Sequence, residues 1–429
     1  MLDEYLKIYQ DKSIYVSSDS ETEYMEGPQS ENARNNQERV KTMLGNRWLD
    51  DIITNSALTS EEIEILTPHF SEVLHRLVES ITSEVGRAIV GLTVLQLTIK
   101  SIVPAQSIRL HKASNNHASF SWRDGIPMRV IDNTYITPKL REYNLLKLNA
   151  DGFMMTRSLA ENYPYTSLYK ANIRGAKAEW IEIVNTIEKC PELALPALKM
   201  ILTFLKNRSD QFKVKTIEAM QKLEIYLSKN LSENVILEKL FSFPSISSYS
   251  ARLFEILIHS FYYVVSIEFD NGLFLKPLSQ MRSANKKHGN IGDIELLERP
   301  NTLLIVEAWD VKFGKQYLRD ELEELKDKLE SHPETKIAGF ITNDEPILNK
   351  EIIERKSELE EIFGIKIKIE SIHSWYKNAL LEYKIVKELS FIKCWMKTFF
   401  EYLCLKNYLI APIDEPTYTW IEECISMIE

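Results

Sequence analysis

Three residues in this chain have types and a spacing that could do chemistry together: Asp293, Asp310 and Lys312. Asp310 and Lys312 close the apolar run TLLIVEAWDVK. Side chains alternate along a strand, so these two point to one face while Val311 points to the other. Asp293 lies 17 residues before Asp310 and directly follows Ile291-Gly292. A hairpin through LLERPNT would bring Asp293 beside Asp310, with glycine at 292 permitting close packing at the turn. Two neighbouring carboxylates repel one another unless a proton or a cation lies between them. Oxygen ligands with retained waters suit Mg2+. Lys312 would orient or help deprotonate a water and offset negative charge developing at phosphorus. That combination is the chemistry of phosphodiester hydrolysis.

The elements that must position these groups are legible around them. SARLFEILIHSFYYVVSIEF reads as a buried helix, and GNIGDIELL and TLLIVEAWDVKF read as strands. KQYLRDELEELKDKLESH has high helix propensity and an apolar stripe of Leu318, Leu322, Leu325 and Leu329. KIAGFITN reads as a strand, EIIERKSELEEIF as a helix and IKIKIESI as a last strand, which together predict a mixed α/β sheet with covered faces. In an unbroken strand Glu307 points away from Asp310, which makes it a supporting residue. Asn343 and Asp344, at the end of KIAGFITN, border the same region or simply turn the chain.

This order of residues and elements resembles the PD-(D/E)xK nuclease superfamily, which includes many restriction endonucleases. Ile291-Gly292-Asp293 and Glu307-Ala308-Trp309-Asp310-Val311-Lys312 carry the likeness, with glycine where the family name has proline. The resemblance covers roughly residues 250 to 380. It implies a restriction-endonuclease-like mixed sheet flanked by helices, Mg2+ held by Asp293 and Asp310, and Lys312 assisting the hydrolytic water. It also implies an acidic residue on the first core helix, for which Glu255 in ARLFEILIH is the candidate, orienting either a metal-bound water or Lys312. Restriction enzymes of this kind commonly pair two subunits to cut both strands, so a homodimer is implied as well.

The rest of the chain bounds this reading. At 429 residues, 44% hydrophobic and 27% charged, with 13 Gly and 15 Pro, the composition excludes collagen-like and wholly disordered classes. A formal charge of −10 argues against coating nucleic acid or membrane through overall attraction, so a local basic groove must meet the phosphates. Arg282, Lys286, Lys287, His288 and Arg299 bracket Asp293 and are the nearest candidates in sequence. Arg123, Arg129, Arg157, Lys170 and Arg174 are candidates from the middle of the chain, where Tyr163, Tyr165 and Tyr169 either stack on bases or fill a junction. Cys190, Cys394, Cys404 and Cys424 have neither disulfide nor zinc spacing. The start, MLDEYLKIYQDKS, has no basic and apolar leader pattern, and no apolar stretch reaches membrane-spanning length, which points to the cytoplasm. No P-loop, dinucleotide fingerprint or nucleophile elbow is present.

Three regions are expected. Residues 1–40 read as a flexible arm, because 11–40 are rich in Ser, Glu, Asn and Gln. Residues 41–240 read as mostly helical, with a capping box at Thr59 and Glu62, strands or loops over ASFSW and MRVIDNTYI, and a possible role in DNA recognition. FSFPSISSYS marks a loop, and residues 241–429 form the catalytic domain. The acids Glu321, Glu323, Glu324, Glu358, Glu360 and Glu361 read as solvated helix faces. The expected activity is that of a Mg2+-dependent endonuclease on double-stranded DNA, a type II restriction enzyme. The alternatives are a structure-specific repair nuclease and a DNA-binding or interaction protein without turnover.

Overall fold

A computed structural model of the chain describes residues 4–17, 20–81, 84–112, 122–146, 163–169, 173, 175–247, 250–268, 272–278, 290–299, 304–406 and 417–429. It is mixed α/β, with one three-stranded and one five-stranded sheet. The chain divides into two compact units, Met1–Phe212 and Lys213–Glu429. None of the described helices is long and apolar enough to cross a membrane.

The first unit opens with β1 (Tyr5–Ile8), β2 (Lys12–Val16) and β3 (Glu21–Met25), an antiparallel meander. The stretch expected as a flexible arm therefore holds strands, followed by helix α1 (Glu31–Gly45), whose N-cap Ser30 accepts the Ala33 N–H. What orders it is distant in sequence. Tyr15 and Tyr24 bury against Leu110 and Trp122, and the Arg123 N–H donates to the Met25 carbonyl at 2.9 Å. Composition alone favours an arm because those partners lie about a hundred residues away.

The helices that follow are the expected ones. The capping box at Thr59 and Glu62 forms, and α2 (Pro68–Glu79) and α3 (Glu84–Ile102) carry the apolar spacing read from the sequence. Ile89, Val90, Leu92, Val94, Leu95, Leu97 and Ile99 of α3 are all fully buried, which makes this helix the centre of the unit. MRVIDNTYI is helical, not extended, because Met128, Ile131 and Ile136 bury into the same core at helical spacing. Tyr165 and Tyr169 are buried against Trp180 of α4 (Lys177–Lys189), so these two rings serve packing and are not offered to bases. Helix α5 (Ala194–Ser228) contains the division between the units, and FSFPSI continues as the end of α6 (Glu233–Ile246), with Pro244 inside it. The break expected at FSFPSISSYS comes only after Ile246.

In the second unit, α7 (Ser250–Glu268) precedes β4 (Phe274–Leu275), β5 (Ile294–Leu297) and β6 (Ile305–Lys312). Then come α8 (Arg319–Leu329), β7 (Ile337–Thr342), α9 (Lys350–Phe363), β8 (Lys366–Ser371), α10 (Ile372–Glu382), α11 (Glu388–Glu401) and α12 (Thr417–Ile428). Strand order is β4-β5-β6-β7-β8, antiparallel up to β6 and parallel from β6 to β8. The two parallel connections run through α8 and α9, as crossovers between parallel strands require. Leu318, Leu322, Leu325 and Leu329 all bury, and with Ile352 and Leu359 they cover the sheet face carrying Ala308, Ala338 and Phe340. The other face meets α7 and α10 through Tyr262 and Trp375. The four cysteines are free.

Candidate active site

The site forms where β5 begins and β6 ends. Ile294 pairs with Trp309 in the antiparallel register, so the residue before β5, Asp293, arrives beside Asp310. Gly292 makes this approach possible: a Cβ there would lie 2.4 Å from the Trp309 carbonyl oxygen and 3.0 Å from its nitrogen. The Val311 N–H donates to Asp293 Oδ2 at 3.0 Å, tying that carboxylate to the β6 backbone between Asp310 and Lys312.

The alternation read from the sequence holds across β6. Glu307 lies on the Trp309 face, where its buried carboxylate accepts the Trp309 indole N–H at 2.6 Å and hydroxyls from Tyr262 and Tyr383. Burial raises its pKa against those hydrogen bonds, and it stands apart from the carboxylate pair as a buried support. Trp309 itself lies over Gly339 of β7, where a Cβ would come within 2.8 Å of the indole ring.

Asp310 points the other way, toward α8. It is buried, and burial together with the charge of the neighbouring Asp293 carboxyl pushes its pKa up to about 6. Lys312 Nζ lies 3.0 Å from Asp310 Oδ1, and Lys328 Nζ of α8 lies 3.6 Å from Oδ2. Burial works against the charge on Lys312, but Asp310, Asp293 and Glu321 outweigh it and hold the ammonium above its ordinary pKa. The surrounding carboxylates thus favour the charged form of Lys312.

Further groups hold this arrangement. Glu295 of β5 is buried, and its Oε1 accepts the Ile291 N–H at 2.6 Å and the Gly292 N–H at 3.4 Å, which fixes the turn that carries Asp293. Lys276 pairs with Glu295 and also donates to Asn290 Oδ1 at 3.0 Å. Asn343 Oδ1 accepts the Gly314 N–H at 2.6 Å and joins the ends of β7 and β6, a turn-forming role.

Not every expected residue joins the site. Glu255 sits on α7 in a buried ion pair with Arg252, and among the described residues neither Asp310 nor Lys312 pairs with it. Its neighbour Phe254 packs against Phe313 with ring centroids 6.0 Å apart, so this part of α7 lies near the carboxyl end of β6. Arg299 is exposed beyond the far end of β5, about 20 Å from Asp293 along the strand direction, because the antiparallel pairing carries it away. Arg123 is exposed and pairs with Asp124, and Arg129 is exposed in the first unit. Arg157, Lys170, Arg174, Arg282, Lys286, Lys287 and His288 lie outside the described residues.

No protein-family model matches this sequence, and no curated protein matches it.

Three neighbours of the pair escape the sequence reading. Lys328 and Glu321 fall two turns apart on α8, on the flank of its leucine stripe, and a charge in that position reads as solvated. Glu321 is in fact buried and paired with Lys315. Glu295 is the third, an acid inside a strand at a position that faces inward, which is the one available signal for it.

Proposed function

We propose that this chain is a Mg2+-dependent endonuclease hydrolysing phosphodiester bonds of double-stranded DNA, a type II restriction enzyme whose second unit is restriction-endonuclease-like. One observation carries the proposal: Asp293 and Asp310, brought side by side by the pairing of two neighbouring strands, act on each other's charge, with a lysine ammonium 3.0 Å from Asp310. The fit to a divalent cation rests on the same pair. Burial first and the neighbouring Asp293 second raise the pKa of Asp310, and a cation between the two carboxyls would offset both effects. Among the described residues no group of three or more His, Cys, Asp or Glu could hold a metal, which suits an ion that keeps several waters and takes one or two carboxylates. Asp293 and Asp310 would hold it; when bound, such an ion supplies positive charge to phosphoryl oxygens and makes water more acidic.

The remaining work falls to groups of the chain. The Val311 N–H keeps the Asp293 carboxylate oriented against β6. Lys312, protonated and anchored by Asp310, donates toward the phosphoryl oxygens that gain charge as water adds to phosphorus and the bond to the leaving oxygen breaks. Its position on a rigid central strand limits reorganisation during the step. Duplex DNA and the pairing of two subunits come from the resemblance to restriction endonucleases; recognition through residues 41–240 and a cytoplasmic setting are expectations from the sequence.

The test is to incubate the full chain with mixed duplex DNA, in Mg2+ or in EDTA, and map the ends produced. Discrete Mg2+-dependent fragments, lost in Asp310→Ala and Lys312→Ala, are expected. Products confined to junctions, ends or damage would move the assignment to a structure-specific repair nuclease. DNA binding without metal-dependent cleavage would leave a binding protein and remove the enzyme.

A further inference from the structure

The proposed nuclease site leaves one cation unexplained. Each oxygen of Asp310 is faced by a lysine: Oδ1 by Lys312 at 3.0 Å and Oδ2 by Lys328 at 3.6 Å. An ammonium group beside each oxygen of a carboxylate competes by charge with any metal ion that ligates it, and the more weakly held of the two gives way more readily. The two lysines differ in how firmly they are held. Lys312 is rooted on β6 itself, within hydrogen-bond distance of Asp310, and is drawn as well by Asp293 and by buried Glu321. Lys328 is in the last turn of α8, and its distance is beyond a good hydrogen bond. Among the described residues Asp310 is its single ion-pair partner. Its side chain is a quarter exposed, so its flexible stem has solvent to swing into.

We infer that Lys328 stands in for the divalent cation at Asp310 in the metal-free protein and is displaced when the metal enters. This rests on the proposed metal site and adds its regulation. The ammonium lowers the cost of a buried carboxyl beside a second one while no metal is present, and it sets a threshold concentration that a divalent cation must exceed. Glu321 and Lys328 serve the two lysine positions differently because they lie seven residues apart on one face of α8: the acid steadies Lys312 at the strand end, and the lysine covers Asp310. A coulombic competitor within 4 Å of a metal ligand weakens cation binding by an amount easily measured, about tenfold for a partly buried pair.

Equilibrium binding of Mn2+ alone to the full chain, without DNA, tests this. Lys328→Gln is expected to bind Mn2+ about tenfold more tightly than the unaltered protein. Lys328→Arg, which keeps the charge, is expected to bind like the unaltered protein, and so is Lys326→Gln, whose ammonium pairs with Glu330 on the same helix. A measurement that needs no variant is lysine acetylation read by mass spectrometry. Mn2+ is expected to raise labelling of Lys328 and leave Lys326 unchanged. Equal or weaker Mn2+ binding by Lys328→Gln, or labelling of Lys328 that stays level or falls with Mn2+, overturns the inference. If Mn2+ binding is meanwhile lost in Asp310→Asn, the metal site survives that failure. If neither the unaltered protein nor Lys328→Gln binds Mn2+, the metal site and the inference fall together.

Discussion

The α-carbon of Gly292 packs so closely on Trp309 that a methyl group added there would sit 2.4 Å from the Trp309 carbonyl oxygen. The obstacle is strand backbone, which cannot swing aside as a flexible side chain would. Gly292→Ala is therefore expected to push the Asp293 turn off β6. The cost from overpacking is about 1–3 kcal/mol, read as a lower melting temperature, and the hydrogen bond from the Val311 N–H to Asp293 is lost with it. Gly292→Pro, which restores the residue of the family name, adds a Cβ at the same place and is expected to do no better. A Gly292→Ala protein as stable and as active as the original would show that the turn tolerates the shift.

Asp310 gives a pH dependence with a definite sign. Its folded pKa, about 6, lies above the ordinary value of 3.8, so the stability it contributes is present in full below 3.8 and is lost as pH rises through 6. In metal-free protein at pH 7.5 the charged pair is a net burden. Asp310→Asn is expected to abolish Mg2+-dependent cleavage while raising stability at pH 7.5, by an amount on the order of 1–3 kcal/mol. Denaturant melts of both proteins at pH 5 and pH 7.5 measure the difference. A variant less stable at pH 7.5 would mean that Lys312 and Lys328 stabilise the carboxylate more than burial and Asp293 oppose it.

Glu295 is expected to act as a positioning residue. Glu295→Ala leaves the buried Ile291 and Gly292 N–H groups without their acceptor, a loss of about 1–3 kcal/mol. It also loosens the turn under Asp293, so cleavage should fall with little change in duplex affinity. Glu295→Gln keeps an oxygen acceptor and is expected to recover most of the rate. Equal defects in both variants would assign the effect to the lost charge opposite Lys276.

The amino-terminal strands are expected to behave as core. Trp122 is 1% exposed and meets Tyr24 edge-on with ring centroids 6.2 Å apart, so Trp122→Ala should cost about 3–5 kcal/mol. Amide exchange over residues 12–16 and 21–25 should be slow in the original protein and fast in the variant. Fast exchange in both would mean that the meander opens without the core.

Much of the second unit is readable from residue order. The leucine stripe at 318, 322, 325 and 329, the apolar strands on either side of it, and the sharing of one face by Asp310 and Lys312 all follow from steric rules acting over a few residues. Gly292 before Asp293 is local in the same sense, since a close approach at that turn needs a residue without a side chain. Which distant charges arrive at the pair is not local. Arg299 is nearer than Lys328 to Asp293 in sequence, yet the antiparallel run of β5 carries Arg299 to the far end of the strand, while the return of α8 along the sheet brings Lys328 to Asp310. Residues 5–25 follow the same logic: weakly apolar by themselves, they become strands because Leu110 and Trp122 supply a surface to bury against. Periodicity and turn chemistry are properties of neighbouring residues, and so the sequence by itself determined the main helices and strands of the second unit and the two faces of β6. The convergence of charges on Asp310 depends on how helices and strands pack at long range, and only the tertiary structure decided it.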